Sequence, residues 1–144
     1  MVVIDTNVLI YAASSSEPER EACLEFLEAR RHGVAPWFMT WSIVYEFLRV
    51  STHRRVWPDP WPADKALDFV GALLESASLQ MLTETPRHSQ ILASVVRDVP
   101  LVAGNFVHDA HIATLMREHG VRTIATRDTG FHRFPFLEVL DPLV

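Results

Sequence analysis

Four acidic residues occupy positions in the sequence that are hard to explain as ordinary surface. One ends a short apolar run at the N-terminus, two are embedded in apolar stretches, and one closely follows an apolar run near the C-terminus; they are Asp5, Glu46, Asp109 and Asp128. A buried carboxylate without a partner is strongly unfavourable. A divalent metal shared by several carboxylates removes that penalty and can also promote the cleavage of phosphodiesters. The pattern therefore predicts a carboxylate metal centre.

Each of these acids also has an ordinary structural interpretation. Asp5 precedes a helical pattern and can cap that helix, and Asp128 can be a turn residue. Glu46 can form a weak surface pair with Arg49, three residues later. Asp109 is the least easily explained in this way, because it lies four residues inside a predicted helix. The coincidence of four such acids in one small chain is what favours a functional cluster.

The hydrophobic pattern predicts alternating strands and helices. Strands are expected at about residues 2–5, 34–40, 79–82, 123–126 and 138–140. Helices are expected at about residues 6–13, 18–31, 41–52, 63–76, 86–97 and 106–119. Thr40 or Ser42 can cap the third of them, and the last is capped by Asn105 and closed by Gly120. Residues 53–62 form a predicted loop because they contain three prolines. Such alternation is typical of an α/β domain with a mainly parallel sheet flanked by helices.

This layout gives the four acids related positions. Ligands of parallel sheets bind at the carboxyl ends of the strands, and Asp5 and Asp128 both follow predicted strands. At about 100° per residue, Glu46 borders the apolar arc of its helix and Asp109 falls on an apolar face. A helix N-terminus stabilises an anion by only about 0.3–1 kcal/mol, which does not offset the burial of a carboxylate there. A cation is the simplest partner for Asp109.

Length and composition predict one globular domain that spans residues 1–144. Hydrophobic residues make up 49% of the chain and charged residues 22%, as in folded proteins. The single cysteine, Cys23, cannot form an internal disulfide, so we expect a cytoplasmic location. No apolar run reaches the roughly 20 residues that a membrane helix needs, and we therefore expect no membrane partner.

The charge pattern leaves a nucleic-acid substrate open. The net charge of −5 argues mildly against such a partner, but metal binding by the four acids would leave the rest of the chain nearly neutral. All basic residues except Lys65 are arginines, whose planar guanidinium groups match phosphate oxygens. Hard carboxylate oxygens suit Mg²⁺ or Mn²⁺. Zinc is not expected, because the histidines show no metal-binding spacing and there are no cysteine ligands.

Several short motifs resemble those of the PIN-domain nucleases. They are Val3-Ile4-Asp5-Thr6-Asn7 at the N-terminus, Glu46 within a helix, residues 105–113 around Asp109, and Thr126-Arg127-Asp128. The resemblance covers essentially the whole chain, and its length and layout are most similar to the toxin of VapBC-type toxin–antitoxin pairs. It implies a PIN-like three-layer sandwich and a Mg²⁺- or Mn²⁺-dependent endoribonuclease. It also implies a homodimer that a small antitoxin protein holds inactive. One departure is His111, where the family often has a small or apolar residue.

The resemblance further implies roles for individual residues. Asp5, Asp109 and Asp128 would bind the metal directly, and Glu46 would bind it directly or through water. The residues expected to orient these carboxylates or to hold substrate phosphates are Thr6, Asn7, Thr126 and Arg127, with Arg133 and Arg49 as further phosphate contacts.

Two other functions fit the same residues. One is an RNA-processing or structure-specific DNA nuclease of the same fold that has no antitoxin. The other is a non-catalytic binding module whose acids only stabilise the fold. A separate choice concerns Trp57 and Trp61 in the proline-rich loop, which either contact a partner or cover the core.

Overall fold

The computed structural model describes residues 1–15 and 18–144. Within them the strands are β1 (Val2–Ile4), β2 (Trp37–Thr40), β3 (Leu79–Leu82), β4 (Thr123–Ala125) and β5 (Glu138–Leu140). The helices are α1 (Thr6–Ala13), α2 (Arg20–His32), α3 (Trp41–Ser51), α4 (Ala63–Leu74), α5 (His88–Asp98) and α6 (Phe106–His119). A short 3₁₀ helix at Thr129–Arg133 follows β4. The predicted break between α1 and α2 includes residues 16 and 17, which lie outside the described residues.

The strands form one parallel sheet in the order β3-β2-β1-β4-β5. The central strand β1 pairs with both β2 and β4, so that Val3 lies opposite Phe38 and Ile4 lies opposite Ala125. Every residue of β1 is buried, as expected for a parallel strand that helices cover on both faces. The predicted α/β fold with a parallel sheet between layers of helices is confirmed.

The sheet is extended first on one side of β1 and then on the other, so the point of reversal lies between the neighbouring strands β1 and β4. The chain runs outward from β1 to β3 and then returns past β1 to β4 and β5. With right-handed crossovers, α1 to α4 cover one face of the sheet, and α5 and α6 cover the other. The contacts of α1 with α2 and α3, and of α5 with α6, agree with this arrangement. Such a reversal opens a crevice at the carboxyl ends of the two strands, where ligands of α/β proteins bind.

Helix α3 begins at a predicted cap and presents Glu46 away from the core. The Thr40 side chain accepts a hydrogen bond from the Ile43 amide at 3.2 Å, which satisfies one of the free donors at the helix start. Ile43, Phe47 and Ser51 recur every fourth residue and are buried. Glu46 borders this face, as predicted, and is exposed.

Helix α6 has the predicted bounds, but its first turn lacks the expected capping hydrogen bond. Gly120 adopts a left-handed conformation with φ 71° at its end, which glycine allows without a steric penalty. Asn105 occupies the N-cap position, as predicted, but its side chain makes no capping hydrogen bond. The physical reason is its backbone, which is already helical at φ −63° and ψ −23° and differs from the extended conformation that capping side chains require.

Other differences from the predicted elements are small. Strand β2 begins at Trp37 and not at residue 34, and Val34 is exposed. Helix α4 ends at Leu74, two residues early, and α5 begins at His88, two residues late. The 3₁₀ helix after β4 was not expected. In the described residues, no helix has both the length and the apolar character to cross a membrane.

The proline-rich loop between α3 and α4 covers the core. Trp57 is only 6% exposed. The Trp61 ring lies edge-on to Phe47 and Phe69, with ring centroids 6.2 and 5.8 Å apart. The Lys65 ammonium lies over the same indole at 4.5 Å. These contacts favour the core-covering interpretation of the two tryptophans over an exposed partner contact.

Candidate active site

The four predicted acids line one cleft. The cleft has a volume of about 840 Å³ and lies where the strand order reverses. Asp5 enters from the end of β1, Glu46 from α3, Asp109 from the first turn of α6, and Asp128 from the turn after β4. Residues that are more than a hundred positions apart in the chain therefore face the same space.

Asp5 is held by its neighbours on both sides. Its side chain caps α1 by accepting a hydrogen bond from the Thr6 amide at 2.8 Å. The other carboxylate oxygen accepts from the Thr126 hydroxyl at 2.7 Å and from the Asn7 amide nitrogen at 3.2 Å. Only 7% of Asp5 is exposed, so these donors replace most of its contact with water. Asp5 therefore caps α1, as its ordinary interpretation predicted, and also lines the cleft.

Thr126 connects the two strand-end acids. Its hydroxyl oxygen accepts hydrogen bonds from the Asn7 side chain and from the Asp128 amide, both at 2.9 Å, while its proton goes to Asp5. The Asn7 oxygen in turn accepts from the Arg127 amide at 3.1 Å. The start of α1 and the end of β4 are thus bound to each other by side chains, which orients Asp5 relative to Asp128.

Asp128 and Asp109 meet at Gly130. Asp128 accepts a hydrogen bond from the Gly130 amide at 2.8 Å. This contact agrees with the prediction that Asp128 is a turn residue. A Cβ atom at position 130 would lie 3.0 Å from an Asp128 oxygen and 3.3 Å from an Asp109 oxygen. The two carboxylates therefore approach the same point from different elements, and the absence of a side chain at position 130 leaves room for them.

Two of the acids hold their protons more tightly than usual. Burial raises the pKa of Asp5 to about 6, although hydrogen bonds from Thr126 and Thr6 oppose this, and the negative charges of Asp128 and Glu46 add to it. Burial and then the charges of Asp128 and Asp5 raise the pKa of Asp109 to about 6. Interacting carboxyls titrate as a group, so these values describe the cluster as a whole. A bound cation would relieve the same repulsion.

Glu46 differs from the other three acids. It is exposed and forms a two-point contact with Arg49, with nitrogen–oxygen distances of 2.6 and 3.0 Å. The hydrogen bond from Arg49 lowers the pKa of Glu46 below its usual range. The surface-pair interpretation of its sequence spacing is therefore correct, although the side chain also borders the cleft.

Two arginines that were expected to hold phosphates have other partners. The Arg127 guanidinium lies 3.1 Å from a Glu19 oxygen and 3.5 Å from an Asp141 oxygen. The Arg133 guanidinium lies over the Phe106 ring at 3.6 Å and donates to the carbonyl groups of residues 100 and 101. Arg133 still lowers the pKa of Asp109 by its charge. Of the three predicted arginines, only Arg49 lines the cleft.

The cleft also contains polar residues that the sequence did not assign to it. Ser42, Asn105 and His108 line it together with the acids. His108 stands directly before Asp109, and its charge would lower the pKa of both Asp109 and Glu46. Its adjacency to a predicted site acid is the signal that could have identified it. Ser42 and Asn105 carry only capping signals in the sequence.

The oxygen-only carboxylate set fits a hard divalent cation. Among the described residues, however, no three of the four acids bring ligand atoms within 4.8 Å of one another. Mg²⁺ retains several water molecules and is commonly held by one or two protein carboxylates. The spacing therefore fits an ion bound directly by some of these carboxylates and through water by the others.

A sequence profile of the PIN domain matches residues 2–137. The chain belongs to the PIN domain family. Among curated relatives, Ribonuclease VapC37 of Mycobacterium tuberculosis is 32% identical over 134 residues, which are 93% of this chain and 92% of the relative. Ribonuclease VapC43 of the same species is 32% identical over 143 residues, 99% of this chain and 96% of the relative. VapC nucleases of the PIN family generally depend on a divalent metal.

Solved structures of other proteins share this fold. VapBC2 of Rickettsia felis, bound to a DNA fragment from its promoter, matches with a TM-score of 0.68 at 16% identity, over 97% of this chain and 98% of the other. FitAcB of Neisseria gonorrhoeae matches with a TM-score of 0.66 at 20% identity, over 99% of both chains. At these identities the likeness concerns the fold.

Proposed function

We propose that this PIN-domain protein is a Mg²⁺- or Mn²⁺-dependent endoribonuclease and the toxin of a toxin–antitoxin pair. The observation that carries the proposal is the convergence of Asp5, Glu46, Asp109 and Asp128 on one cleft at the reversal of the sheet. The curated relatives named VapC ribonucleases, matched over nearly their whole length, support RNA as the substrate.

Each cleft residue has a role that follows from its contacts. A bound divalent ion supplies a water molecule of lowered pKa and neutralises charge on the phosphate. Asp5 is fixed by Thr6, Asn7 and Thr126, so its carboxylate is oriented before any ligand binds. Asp5 and Asp109, whose pKa values are raised to about 6, are the cleft acids best suited to exchange a proton near neutral pH.

Glu46 and Arg49 form the exposed margin of the cleft. Their ion pair leaves Arg49 donors at the solvent side, where a flanking phosphate of the RNA can approach. Hydrolysis in which water attacks the phosphorus would leave a 5′-phosphate and a 3′-hydroxyl. Attack by the 2′-hydroxyl of the RNA leaves a cyclic phosphate and requires no metal.

The partner that fits this cleft is a small antitoxin protein with a basic residue. Asp5, Asp109 and Asp128 face one space, and burial and mutual repulsion raise the pKa of Asp5 and Asp109 despite the positive charges nearby. An arginine from an antitoxin can occupy the position of the metal electrostatically. We place the toxin in the cytoplasm, where its RNA substrate is, and propose that it acts as a homodimer.

Cleavage of total cellular RNA tests this function. Wild-type protein is compared with Asp5→Asn and with Asp68→Asn, an exposed aspartate on α4 that serves as the matched control. We expect Mg²⁺- or Mn²⁺-dependent cleavage by the wild type and by Asp68→Asn, and none by Asp5→Asn. Ends that carry 5′-phosphate support metal-activated water, whereas 2′,3′-cyclic phosphate would exclude this mechanism.

The same assay separates the alternatives. Cleavage of DNA but not RNA favours a structure-specific DNA nuclease of the same fold. No cleavage of either, with Mn²⁺ binding retained, favours a non-catalytic binding module. Cleavage of RNA without a neighbouring gene for a small co-purifying protein favours an RNA-processing enzyme.

A further inference from the structure

A second group of possible metal ligands lies outside the acidic cleft. Glu84 follows β3, His88 is the first residue of α5, and His111 lies on α6. One ligand atom from each falls within 4.8 Å of the other two, and this is the only such set of three among the described residues. The two imidazole rings are nearly perpendicular at 78°, with centroids 5.7 Å apart. None of the three residues lines the cleft.

The orientation of His88 is that of a metal-binding histidine. Its Nδ1 lies 2.7 Å from a carboxylate oxygen of Glu118, whose side chain is only 1% exposed. Glu118 also accepts hydrogen bonds from the amide of Thr85, at 2.8 Å, and from its hydroxyl group. A histidine that donates its Nδ1 proton to a buried carboxylate presents the lone pair of Nε2 to its surroundings. Histidine ligands of metals are usually held in this way.

The other two members form the open side of the group. His111 Nε2 lies 2.8 Å from a Glu84 oxygen, and both side chains are more than a third exposed, at 39% and 53%. In a tetrahedral zinc site with bonds of about 2.0–2.1 Å, ligand atoms lie about 3.4 Å apart. The present spacing is up to 4.8 Å, and the exposure of Glu84 and His111 leaves their side chains room to rotate toward an ion.

The group is separate from the acidic cleft. His111 is two residues from Asp109, and at 100° per residue the two side chains point to nearly opposite sides of α6. The ligand types differ as well, because two imidazoles and one carboxylate suit a borderline transition metal, whereas carboxylates alone suit Mg²⁺ or Mn²⁺.

We propose that Glu84, His88 and His111 bind a transition-metal ion of the zinc type. His88 Nε2, His111 and Glu84 supply three ligands and water supplies the fourth, with Glu118 as the residue that positions His88. The ion joins the segment after β3 and the start of α5 to α6, the helix that carries Asp109. Its effect is to stabilise this side of the fold.

Binding of Co²⁺ and Zn²⁺ to the metal-stripped full-length protein tests the proposal. Excess Mg²⁺ is present to occupy the acidic cleft. We expect one equivalent of Co²⁺ to give the visible absorption of a tetrahedral site, and Zn²⁺ to displace it and to raise the unfolding temperature. His111→Gln and Glu84→Gln should abolish this absorption, and Glu118→Gln should weaken binding by about 10- to 100-fold.

His32→Gln is the matched control. His32 lies 3.0 Å from Glu28 in an exposed histidine–glutamate pair, but no third ligand joins it. This variant should bind Co²⁺ as the wild type does. If the wild type shows no tetrahedral absorption, or if Glu84→Gln and His111→Gln bind as tightly as His32→Gln, the group is an ion-pair network only and the proposal fails. Glu84 is exposed, so its variant keeps the test valid if a histidine variant does not fold.

Discussion

Buried charge is compensated differently in the acidic cleft and in the second group, which comprises Glu84, His88 and His111 together with Glu118. In the cleft, Asp5 and Asp109 lie near other carboxylates, and burial with mutual repulsion raises their pKa to about 6. In the second group, burial opposes the ionisation of Glu118, but hydrogen bonds from Thr85 and His88 outweigh it and lower the pKa to about 2. The charge of the cleft is compensated only when a cation is added, whereas hydrogen bonds from Thr85 and His88 already stabilise the Glu118 carboxylate.

This difference separates a site prepared for chemistry from one prepared for stability. Uncompensated charge lowers the stability of the metal-free protein and is retained where a ligand supplies the missing charge. Compensated charge stabilises the fold without a ligand, and a metal there competes with protons for the histidines. Five changes test the comparison, in order of decreasing expected effect.

Asp5→Asn should have the largest effect on activity. The substitution removes the charge of the most buried cleft acid and retains its size, so we expect RNA cleavage to fall by about 10²- to 10³-fold or more. Initial rates of cleavage at saturating Mn²⁺ measure this effect. A rate within threefold of the wild type would remove Asp5 from the catalytic site, provided that circular dichroism shows an unchanged fold.

Mn²⁺ should stabilise the wild type more than Asp109→Asn. An ion at 100 times its dissociation constant adds about 2.7 kcal/mol to the free energy of unfolding. The metal-free variant should be at least as stable as the metal-free wild type, because the substitution removes like-charge repulsion. Thermal unfolding in EDTA and in Mn²⁺ measures both effects. An equal response of the two proteins to Mn²⁺ would contradict metal binding by Asp109.

The two regions should have pH dependences of opposite sign. In metal-free protein, Asp5 and Asp109 bind protons more tightly in the folded state, where their pKa is about 6, than in the unfolded state, where it is near 3.8. The contribution of Asp5 alone to the free energy of unfolding therefore falls by about 2 kcal/mol as pH rises from about 4 to 6. Urea unfolding of the wild type and Asp5→Asn across this range measures the difference.

Glu118 provides the contrasting half of that experiment. Its pKa is about 2 in the folded protein against 4.5 for the free group, so its contribution is present above pH 4.5 and is lost as pH falls toward 2. The stability difference between wild type and Glu118→Gln should therefore grow as pH rises from 2 to 4.5. Parallel pH profiles for Asp5→Asn and Glu118→Gln would remove the distinction between the two regions.

Gly130→Ala should have a smaller effect on cleavage. The added methyl group would lie 3.0 Å from Asp128 and 3.3 Å from Asp109, so both carboxylates must shift by a few tenths of an ångström. We expect about tenfold slower cleavage, since misplacement near 1 Å reduces rates by about 10². The unfolding temperature in EDTA should change little. An alanine variant with full activity would show that the separation of these two carboxylates is not critical.

Arg49→Ala should have the smallest effect on stability. Its pair with Glu46 is exposed, and such pairs contribute about 0–0.5 kcal/mol. Urea unfolding should therefore be nearly unchanged, while the Michaelis constant for RNA rises if Arg49 contacts a phosphate. Loss of more than about 1 kcal/mol would mean that the pair supports the fold and not the margin of the cleft.

Local signals predicted those parts of the molecule that depend on neighbouring residues. Apolar runs located β1 and β4, and the acids that follow them lie at the carboxyl ends of these strands. The capping role of Thr40 and the left-handed Gly120 were also predicted, because each depends on the backbone within one turn. In contrast, Asn105 precedes α6 as predicted but makes no capping hydrogen bond, since a suitable residue type does not determine its backbone angles.

Tertiary structure alone decided which partners the polar side chains have. Arg127 lies in a motif that suggests phosphate contact, yet it pairs with two distant acids. Glu19 is 108 positions away in the chain, and Asp141 belongs to the segment after β5. The group of Glu84, His88 and His111 showed no metal-binding spacing, because its members come from a loop and two helices. Sequence spacing reports neighbours only within one helix or strand.

The order of strands and helices, the parallel sheet and the choice of four acids that line one cleft could be predicted from the sequence, because hydrophobic periodicity and strand-end positions are local properties. Two contacts could not be predicted in this way: Asp109 and Asp128 meet at Gly130, and Thr126 joins Asp5 to Asp128. These contacts result from the packing of α1 and α6 against the two sides of one sheet, and the distances across that packing are not encoded in any single segment of the chain.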